Sequence, residues 1–209
     1  MILRYLAAAA AAYLLGSIST GVLLSRGLFH DDVRQHGSGG TGATNMLRTF
    51  KLKAALATFA GDAAKAAAAV LLGRAIAGFD GGCVAAVFVI VGHMWPLFFG
   101  FRGGKGVLVG AGAALATEPW VCLALLVVFL IEFAITRIVS LGSIIIAVLY
   151  PVVTLCYWAW KGTDVVSLAF ITVCCALMGI YVVWLHRSNI QRLKNGTEYR
   201  FGEKKKENQ

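Results

Sequence analysis

The chain has 209 residues, of which 59% are hydrophobic and 14% are charged, and its mean hydropathy is +0.77. This composition excludes an ordinary soluble globular domain, in which about a quarter of the residues are charged. The formal net charge of +9 would suggest a nucleic-acid partner in a soluble protein. Here the basic residues lie in short segments between apolar runs, so no nucleic acid is expected.

Six apolar runs each approach the roughly 20 residues that an α-helix needs to cross a bilayer core. They are residues 2–24, 52–72, 82–99, 120–136, 141–160 and 165–185. Residues 107–116 form a shorter run, which is either a half-span or a helix that tilts within the bundle. The predicted fold class is therefore all-α: a polytopic integral membrane helical bundle with about seven transmembrane helices.

The first run follows Arg4 and is rich in alanine, a pattern that cleavable signal peptides share, but its length favours a transmembrane helix. With seven spans, the four most basic segments fall on one side of the membrane, and the positive-inside rule makes that side cytoplasmic. The N-terminus is then outside and the C-terminus cytoplasmic. We expect one transmembrane domain, residues 1–200, followed by a polar disordered cytoplasmic tail, residues 201–209.

Between the first two runs the sequence reads His36-Gly-Ser-Gly-Gly-Thr-Gly-Ala-Thr-Asn-Met-Leu-Arg48, which is more specific than a connecting loop requires. Glycines at this spacing let successive backbone N–H groups point into one concavity that binds anions. Thr44 or Asn45 could begin a helix directed at the same point, and Ser38 and Arg48 add a hydroxyl and a planar set of donors for a phosphate. The alternative is a flexible Gly/Ser linker with one basic residue.

A second glycine-flanked cation follows the third run, where residues 92–107 include His93, Gly103, Gly104, Lys105 and Gly106. Glycines on both sides allow the backbone to bring Lys105 close to a phosphate. A lone histidine such as His93 is more often a membrane-interface residue than a catalyst.

The third unusual segment, residues 186–198, continues from the last run. If the helix extends beyond that run, His186, Asn189 and Arg192 fall on adjacent faces, and Gly196 ends the helix. A charged end to a transmembrane helix explains the basic residues here, but it does not require His186, Asn189 or Glu198.

Ionisable side chains also lie within the apolar runs. Asp62 and Lys65 are three residues apart on one helical face, where they either pair with each other or have a direct role in the site, and a pair can still support the first loop. Glu132 has no evident partner, although Arg137 is close in sequence. The five cysteines show neither CxxC nor Cys/His spacing, so neither a metal site nor a cofactor is expected.

Two other functions fit parts of this pattern. A transporter or channel for an anionic phosphorylated metabolite would also use basic, glycine-rich sites, but it predicts sites near the midplane and an inverted repeat. The motifs here cluster on one face instead. A membrane-embedded chaperone or assembly subunit would explain the charge through contact with anionic lipids, but not the glycine spacing.

Taken in chain order, residues 37–48, Asp62 with Lys65, residues 92–107 and residues 186–198 resemble the motifs of the bacterial acyl-phosphate:glycerol-3-phosphate acyltransferases, the PlsY family. The resemblance implies a seven-helix enzyme of the bacterial inner membrane with its active site on the cytoplasmic side. It implies transfer of a fatty acyl group from acyl phosphate to the 1-hydroxyl of glycerol 3-phosphate, giving lysophosphatidic acid and inorganic phosphate, the first step of phospholipid synthesis. The partners it implies are these substrates, membrane lipids and the upstream enzyme that forms acyl phosphate.

Residue by residue, the resemblance implies catalytic roles for Ser38, Arg48, Lys105, His186 and Asn189. It implies substrate binding by Gly37, Gly39, Thr44, Asn45, His93, Gly103, Gly104, Arg192, Gly196 and Glu198, and a supporting role for Asp62 and Lys65. Three positions depart from the family pattern: Gly40 stands where Asn is usual, Ala66 where Gly is usual, and Leu108-Val109 where Ala-Thr is usual. The backbone N–H of Gly40 remains available for an anion.

An acyl phosphate has a good leaving group, so the enzyme's main tasks are to position the hydroxyl and to stabilise charge on the carbonyl oxygen and the departing phosphate. No histidine here has an aspartate at the H-x-x-x-x-D spacing of the other well-known glycerol-phosphate acyltransferases, so another base is needed. The family's proposed base is the phosphate of glycerol 3-phosphate, and His186 is the competing one. The acyl chain is expected in a groove between helices, reached from the inner leaflet.

Overall fold

The structure is a computed structural model that describes residues 1–202, and its regular elements in that range are all helical, which confirms the all-α prediction. Two short 3₁₀ helices, Val33–Gln35 and Leu97–Phe99, lie in the loops. The α-helices are α1 (Ile2–Gly16), α2 (Thr20–Phe29), α3 (Ala43–Met94), α4 (Val107–Thr117), α5 (Pro119–Thr136), α6 (Val139–Trp160), α7 (Val165–Leu185) and α8 (Arg187–Lys194).

Five segments of the described chain are long and apolar enough to cross a membrane, namely Ile2–Phe29, Ala43–Phe99, Pro119–Thr136, Val139–Trp160 and Val165–Leu185. The second of these is not one straight rod. Lys65 Nζ and His93 Nδ1 belong to residues 28 positions apart but lie 3.0 Å from each other, whereas a straight helix would separate them by about 42 Å.

The chain turns back at Ala77 and Gly78, where the backbone leaves helical geometry. Residues 52–76 and 79–94 are therefore two antiparallel arms of α3, as the separate runs 52–72 and 82–99 predicted. The multi-pass helical fold is confirmed, while the number of crossings and the orientation of the termini stay predictions.

The first predicted span is divided in two. The α1 helix ends at Gly16 and α2 begins at Thr20, so the backbone between them is released from the helical hydrogen-bond ladder. The Ile18 carbonyl uses this freedom to accept a hydrogen bond from Lys65 Nζ at 2.8 Å.

Small residues bring α1 against the second arm of α3. A Cβ atom on Gly16 would lie 2.3 Å from the Val89 carbonyl oxygen, and one on Gly92 would lie 2.2 Å from that of Tyr13. Such contacts are the usual way in which membrane helices pack closely. The Tyr13 hydroxyl also donates to the Trp95 carbonyl at 3.1 Å, which fixes α1 to the start of the second loop.

The α4 and α5 helices differ in length and surroundings. With 11 residues, α4 is about 16 Å long and is too short to cross a bilayer core by itself. Only Val121, Leu125 and Glu132 are buried in α5, so most of its apolar surface faces outward, as lipid contact requires. The Thr136 hydroxyl donates to the Glu132 carboxylate, and within residues 1–202 Glu132 forms no ion pair with Arg137.

The C-terminal segment continues from α7 with a bend at His186. The Ile190 N–H donates to the His186 carbonyl at 2.8 Å, so helical hydrogen bonding resumes in α8. Of the predicted polar tail, Phe201 contacts the end of α5, because its N–H donates to the Arg137 carbonyl at 2.7 Å. Residues 203–209 lie outside the described residues.

Candidate active site

The three unusual segments meet at one end of the bundle. Arg34, in the first loop, donates from Nη1 to the Phe99 carbonyl of the second loop at 2.7 Å. Its other face pairs with Asp32, with Nη2 2.7 Å from Oδ2. This hydrogen bond from Arg34 is the main reason why the pKa of Asp32 is lowered. Sequence reasoning missed Arg34, since a basic residue in a loop is also what membrane topology requires.

The Asn45 side chain organises the first loop from within. Its Nδ2 lies 2.8 to 3.1 Å from the carbonyls of Val33, His36 and Gly40, and its Oδ1 accepts from the Ser38 N–H at 3.0 Å. Asn45 is 3% exposed. The amide therefore holds the loop in its curved conformation through backbone atoms.

Gly37 and Gly39 adopt the backbone conformation that the curved loop requires. Both have positive φ, +59° and +70°, a region that L side chains rarely adopt. A Cβ atom on Gly37 would also lie 2.2 Å from Asn45 Oδ1.

In the second loop, Gly103 and Gly104 pass directly over the end of α3. A Cβ on Gly103 would lie 1.9 Å from the His93 carbonyl oxygen, and one on Gly104 would lie 2.2 Å from His93 Nε2. The Gly104 N–H donates to the His93 carbonyl at 3.2 Å. The second loop approaches the end of α3 so closely that only glycine fits at positions 103 and 104. This contact fixes the backbone just before Lys105.

Lys105 reaches across to the third segment. Its Nζ donates to Asn189 Oδ1 at 2.5 Å, and Asn189 Nδ2 donates to Glu198 Oε1 at 2.7 Å. Asn189 is 4% exposed. The asparagine thus bridges the lysine and the carboxylate, residues that the sequence placed in separate motifs.

Glu198 is brought back to α8 by a chain reversal at Gly196. Gly196 has a φ of +67°, and the Thr197 N–H then donates to the Arg192 carbonyl at 2.8 Å. Arg192 Nε lies 2.6 Å from Glu198 Oε2. The predicted helix end at Gly196 is confirmed.

The sequence did not predict a role for Ser140, which lies at the start of α6. Its hydroxyl donates to Glu198 Oε1 at 2.9 Å. Burial raises the pKa of Glu198, but the hydrogen bonds from Asn189, Ser140 and Arg192 outweigh burial and leave the pKa lowered. Nothing in the sequence distinguishes Ser140 from other serines near helix ends.

Arg48 approaches the same cluster from the first turns of α3. Its guanidinium lies 4.3 Å from the centre of the Tyr199 ring, a cation–π contact. Ser38 and Thr44 are exposed on the loop and the first turn of α3. Their hydroxyls have no hydrogen-bond partner in the described part of the chain and are available to a ligand.

The charges around Lys105 are unbalanced. The pKa of Lys105 is lowered to about 8. Burial is the largest cause; the charges of Arg192 and Arg48 also lower this pKa, and the charge of Glu198 raises it. Three cations thus surround one carboxylate. Such an arrangement is stabilised by an anion.

His186 lies at the edge of this cluster and is 3% exposed. Its Nδ1 lies 2.7 Å from the Val182 carbonyl oxygen, so Nδ1 carries a proton and Nε2 is the free acceptor of the neutral ring. Burial lowers the pKa of His186, and the charge of Lys105 lowers it as well.

The remaining predicted site residues lie deeper. Lys65 Nζ is 2.7 Å from Asp62 Oδ1 and 3.0 Å from His93 Nδ1, so Asp62 and Lys65 pair with each other, which is one of the two alternatives that the sequence left open. His93, predicted to bind substrate, is 3% exposed and lies beneath Gly104. Among residues 1–202, no group of three or more His, Cys, Asp or Glu side chains could hold a metal ion.

The fold and the cluster define a multi-pass membrane protein with a cationic, anion-suited site at one end of its helical bundle. The family model described as glycerol-3-phosphate acyltransferase matches residues 6–196, and the chain belongs to this family, known as PlsY. It is 40% identical to a glycerol-3-phosphate acyltransferase of Clostridioides difficile, with 98% of each chain covered. It is 43% identical to one of Gloeobacter violaceus, with 93% of each covered.

A solved structure has the same fold. The crystal structure of PlsY, an integral membrane glycerol 3-phosphate acyltransferase, in its glycerol 3-phosphate form matches with a TM-score of 0.84 at 34% identity, over 95% of this chain and 96% of that one. Its lysophosphatidic acid form matches with a TM-score of 0.81 at 32% identity, over 95% of each chain.

Proposed function

We propose that this enzyme transfers a fatty acyl group from an acyl phosphate to the 1-hydroxyl of glycerol 3-phosphate. The hydroxyl oxygen attacks the acyl carbonyl carbon, the bond between that carbon and the phosphate oxygen breaks, and the hydroxyl proton passes to a base. The products are lysophosphatidic acid and inorganic phosphate. Relatives named glycerol-3-phosphate acyltransferase support the acceptor, while the acyl phosphate donor is the proposal.

The observation that carries this proposal is the excess of cations at the end of the bundle. The charges of Arg48 and Arg192 both act on Lys105, and the one carboxylate that does so, Glu198, is already engaged by Arg192 and Asn189. Both substrates carry a phosphate group. Negative charge develops on the phosphate of the donor as its bond to the acyl carbon breaks. Fixed donors aimed at developing charge are the usual source of catalysis in acyl transfer.

The residues divide into two groups in this mechanism. Lys105, Arg48 and the loop carrying Ser38, Thr44, Gly37 and Gly39 are suited to the phosphate of the donor, because the exposed Thr44 lies one helical turn before Arg48 in α3 and the charge of Arg48 acts on Lys105. Asn189, Arg192 and Glu198, placed by Gly196, are suited to glycerol 3-phosphate. Asn45, Gly103 and Gly104 act through the backbone positions that they fix.

We place this site on the cytoplasmic side of the inner membrane, because the basic loops meet there and the positive-inside rule assigns such loops to the cytoplasm. The acyl chain then enters from the inner leaflet, and the soluble acceptor from the cytoplasm. An enzyme that forms acyl phosphate must supply the donor.

The test is release of inorganic phosphate from palmitoyl phosphate by the purified, detergent-solubilised protein, with and without glycerol 3-phosphate. We expect release that depends on glycerol 3-phosphate and is abolished in Lys105→Ala. Activity with an acyl thioester, and none with palmitoyl phosphate, would contradict the donor but not the acceptor.

The proton acceptor is tested separately. The phosphate of glycerol 3-phosphate is our proposed base, and His186 Nε2 is the competing one. If the substrate phosphate is the base, His186→Gln lowers kcat without moving the acidic limb of the pH profile. Disappearance of that limb in His186→Gln would identify the imidazole as the base.

A further inference from the structure

Beneath the two glycine-rich loops lies a buried ionic cluster that the proposed chemistry does not use. Asp62 is 1% exposed, Lys65 8% and His93 3%. Charged side chains within a membrane bundle are costly and persist where they are paired or functional. Asp62 and Lys65 lie on one helical turn, and Lys65 contacts His93, which is 28 positions away in sequence.

Three groups contact the Lys65 ammonium. Its Nζ lies 2.7 Å from Asp62 Oδ1, 2.8 Å from the Ile18 carbonyl oxygen and 3.0 Å from His93 Nδ1. The contact with Asp62 is an ion pair, because Asp62 Oδ1 has no hydrogen-bond partner among residues 1–202, and a lysine ammonium has N–H donors but no acceptor. His93 Nδ1 must therefore accept, and the ring is neutral with its proton on Nε2.

The protonated edge of His93 faces the junction of the two loops. A Cβ atom built on Gly104 would lie 2.2 Å from His93 Nε2 and 3.1 Å from Thr41 Oγ1. Thr41 is completely buried, and its hydroxyl has no hydrogen-bond partner among residues 1–202. Gly104 is thus held between the imidazole from below and the first loop from the side.

We propose that Asp62 and Lys65 fix His93 as the Nε2–H tautomer, and that His93 with Thr41 fixes Gly104, so that the cluster positions Lys105. All four are positioning residues, since none touches the reacting atoms. The effect of this cluster on activity rests on the proposed function, because it acts through Lys105. The tautomer of His93 does not depend on that function.

Kinetics test the positioning role. A displacement of about 1 Å at a reacting group costs on the order of 10²-fold in rate, so we expect His93→Ala to lower kcat by roughly 10- to 100-fold. KM for glycerol 3-phosphate should change by less than about threefold, because Asn189, Arg192 and Glu198 are untouched. His93→Gln, whose amide can place an N–H near the Nε2 position, should recover part of kcat.

Thr41→Ala keeps the test valid if His93→Ala does not fold. Because Thr41 acts on Gly104 by packing, we expect Thr41→Ala to lower kcat by less than His93→Ala does, and Thr41→Ser, which keeps an oxygen at this contact, to restore it. Thr58→Ala is the matched control, since Thr58 is equally buried but its hydroxyl donates to Ala54 within the same helix. Wild-type kcat in folded Thr41→Ala and His93→Ala, or equal losses in Thr58→Ala, would overturn the positioning role.

The tautomer is measured without turnover, by NMR of protein labelled with ¹⁵N in the histidine rings and assigned with His93→Gln. We expect neutral His93 with Nδ1 unprotonated, and loss of this tautomer in Lys65→Met. An Nδ1–H or cationic ring would overturn the proposal even in an active enzyme. An inactive wild type with the expected tautomer would contradict the proposed function alone.

Discussion

The bundle has a buried polar cluster at each end of α6, and the two clusters differ in charge. At the start of α6, Ser140 joins Glu198 beside Lys105 and Arg192. Near its end, Thr154 and Trp158 donate to Glu118 at 3.2 and 2.5 Å, and Cys175 of α7 donates at 3.2 Å. Thr154 lies about 21 Å along the helix from Ser140.

The two clusters differ in whether the protein itself satisfies the buried charge. Glu118 is 3% exposed and receives three hydrogen bonds from neutral donors on two helices, so the protein itself satisfies it. At the other end three cations share one carboxylate, and the hydroxyls of Ser38 and Thr44 face outward. Only that end is incomplete without an anion.

The largest expected effect comes from breaking the bridge at the cationic end. Asn189→Ala removes both the acceptor of Lys105 and the donor to Glu198, and we expect kcat/KM to fall on the order of 10²-fold or more, as for loss of a preorganised donor. Asn195→Ala, directly after the same helix and exposed, is the control. The assay is phosphate release under saturating palmitoyl phosphate. Activity near wild type in Asn189→Ala would mean that Lys105 does not depend on this bridge.

The pH dependence of the cationic end gives the next effect. In the proposed mechanism Lys105 binds phosphate as a cation, and its pKa is lowered from 10.5 to about 8, so kcat/KM should fall as pH rises through about 8. Arg192 lowers that pKa and Glu198 raises it. Arg192→Gln should therefore move the alkaline limb to higher pH, and Glu198→Gln should move it to lower pH. Limbs that move in the same direction would show that another group titrates.

The other cluster should respond in stability rather than in activity. Glu118→Gln places an amide donor among three donors, and an unsatisfied buried group costs about 1 to 3 kcal/mol. We expect a lower thermal midpoint in detergent and kcat within about twofold of wild type. Glu132→Gln is the matched comparison, because Glu132 accepts only from Thr136 in the described chain, and its loss should be smaller. A Glu118→Gln variant that is stable but inactive would show that this cluster contributes to activity.

The sequence predicts what is local and misses what is distant. The pairing of Asp62 with Lys65 follows from helical spacing, and the chain reversal at Gly196 follows from glycine in a polar segment. Ser140 and Glu198 are 58 residues apart, and no periodicity connects them. The break between α1 and α2, which frees the Ile18 carbonyl for Lys65, lies inside a continuous apolar run. Motif recognition selected residues that the packed helices bring together, whereas their partners Ser140 and the Ile18 carbonyl were found only in the structure.

The smallest expected effect concerns Gly40, where the family usually has Asn. Gly40 has no positive φ, and a Cβ there would meet only Ser38 Oγ at 3.6 Å, an ordinary contact. Its carbonyl, which accepts from Asn45 at 2.8 Å, would be unaffected. Gly40→Asn should therefore change kcat/KM by less than about twofold. Gly37→Ala is the contrasting variant, since a Cβ there would clash with Asn45 Oδ1 at 2.2 Å in a backbone with φ of +59°. We expect Gly37→Ala to disrupt the loop and lower activity by roughly tenfold or more. If both variants behave alike, the loop is shaped by its ligand instead of by Asn45.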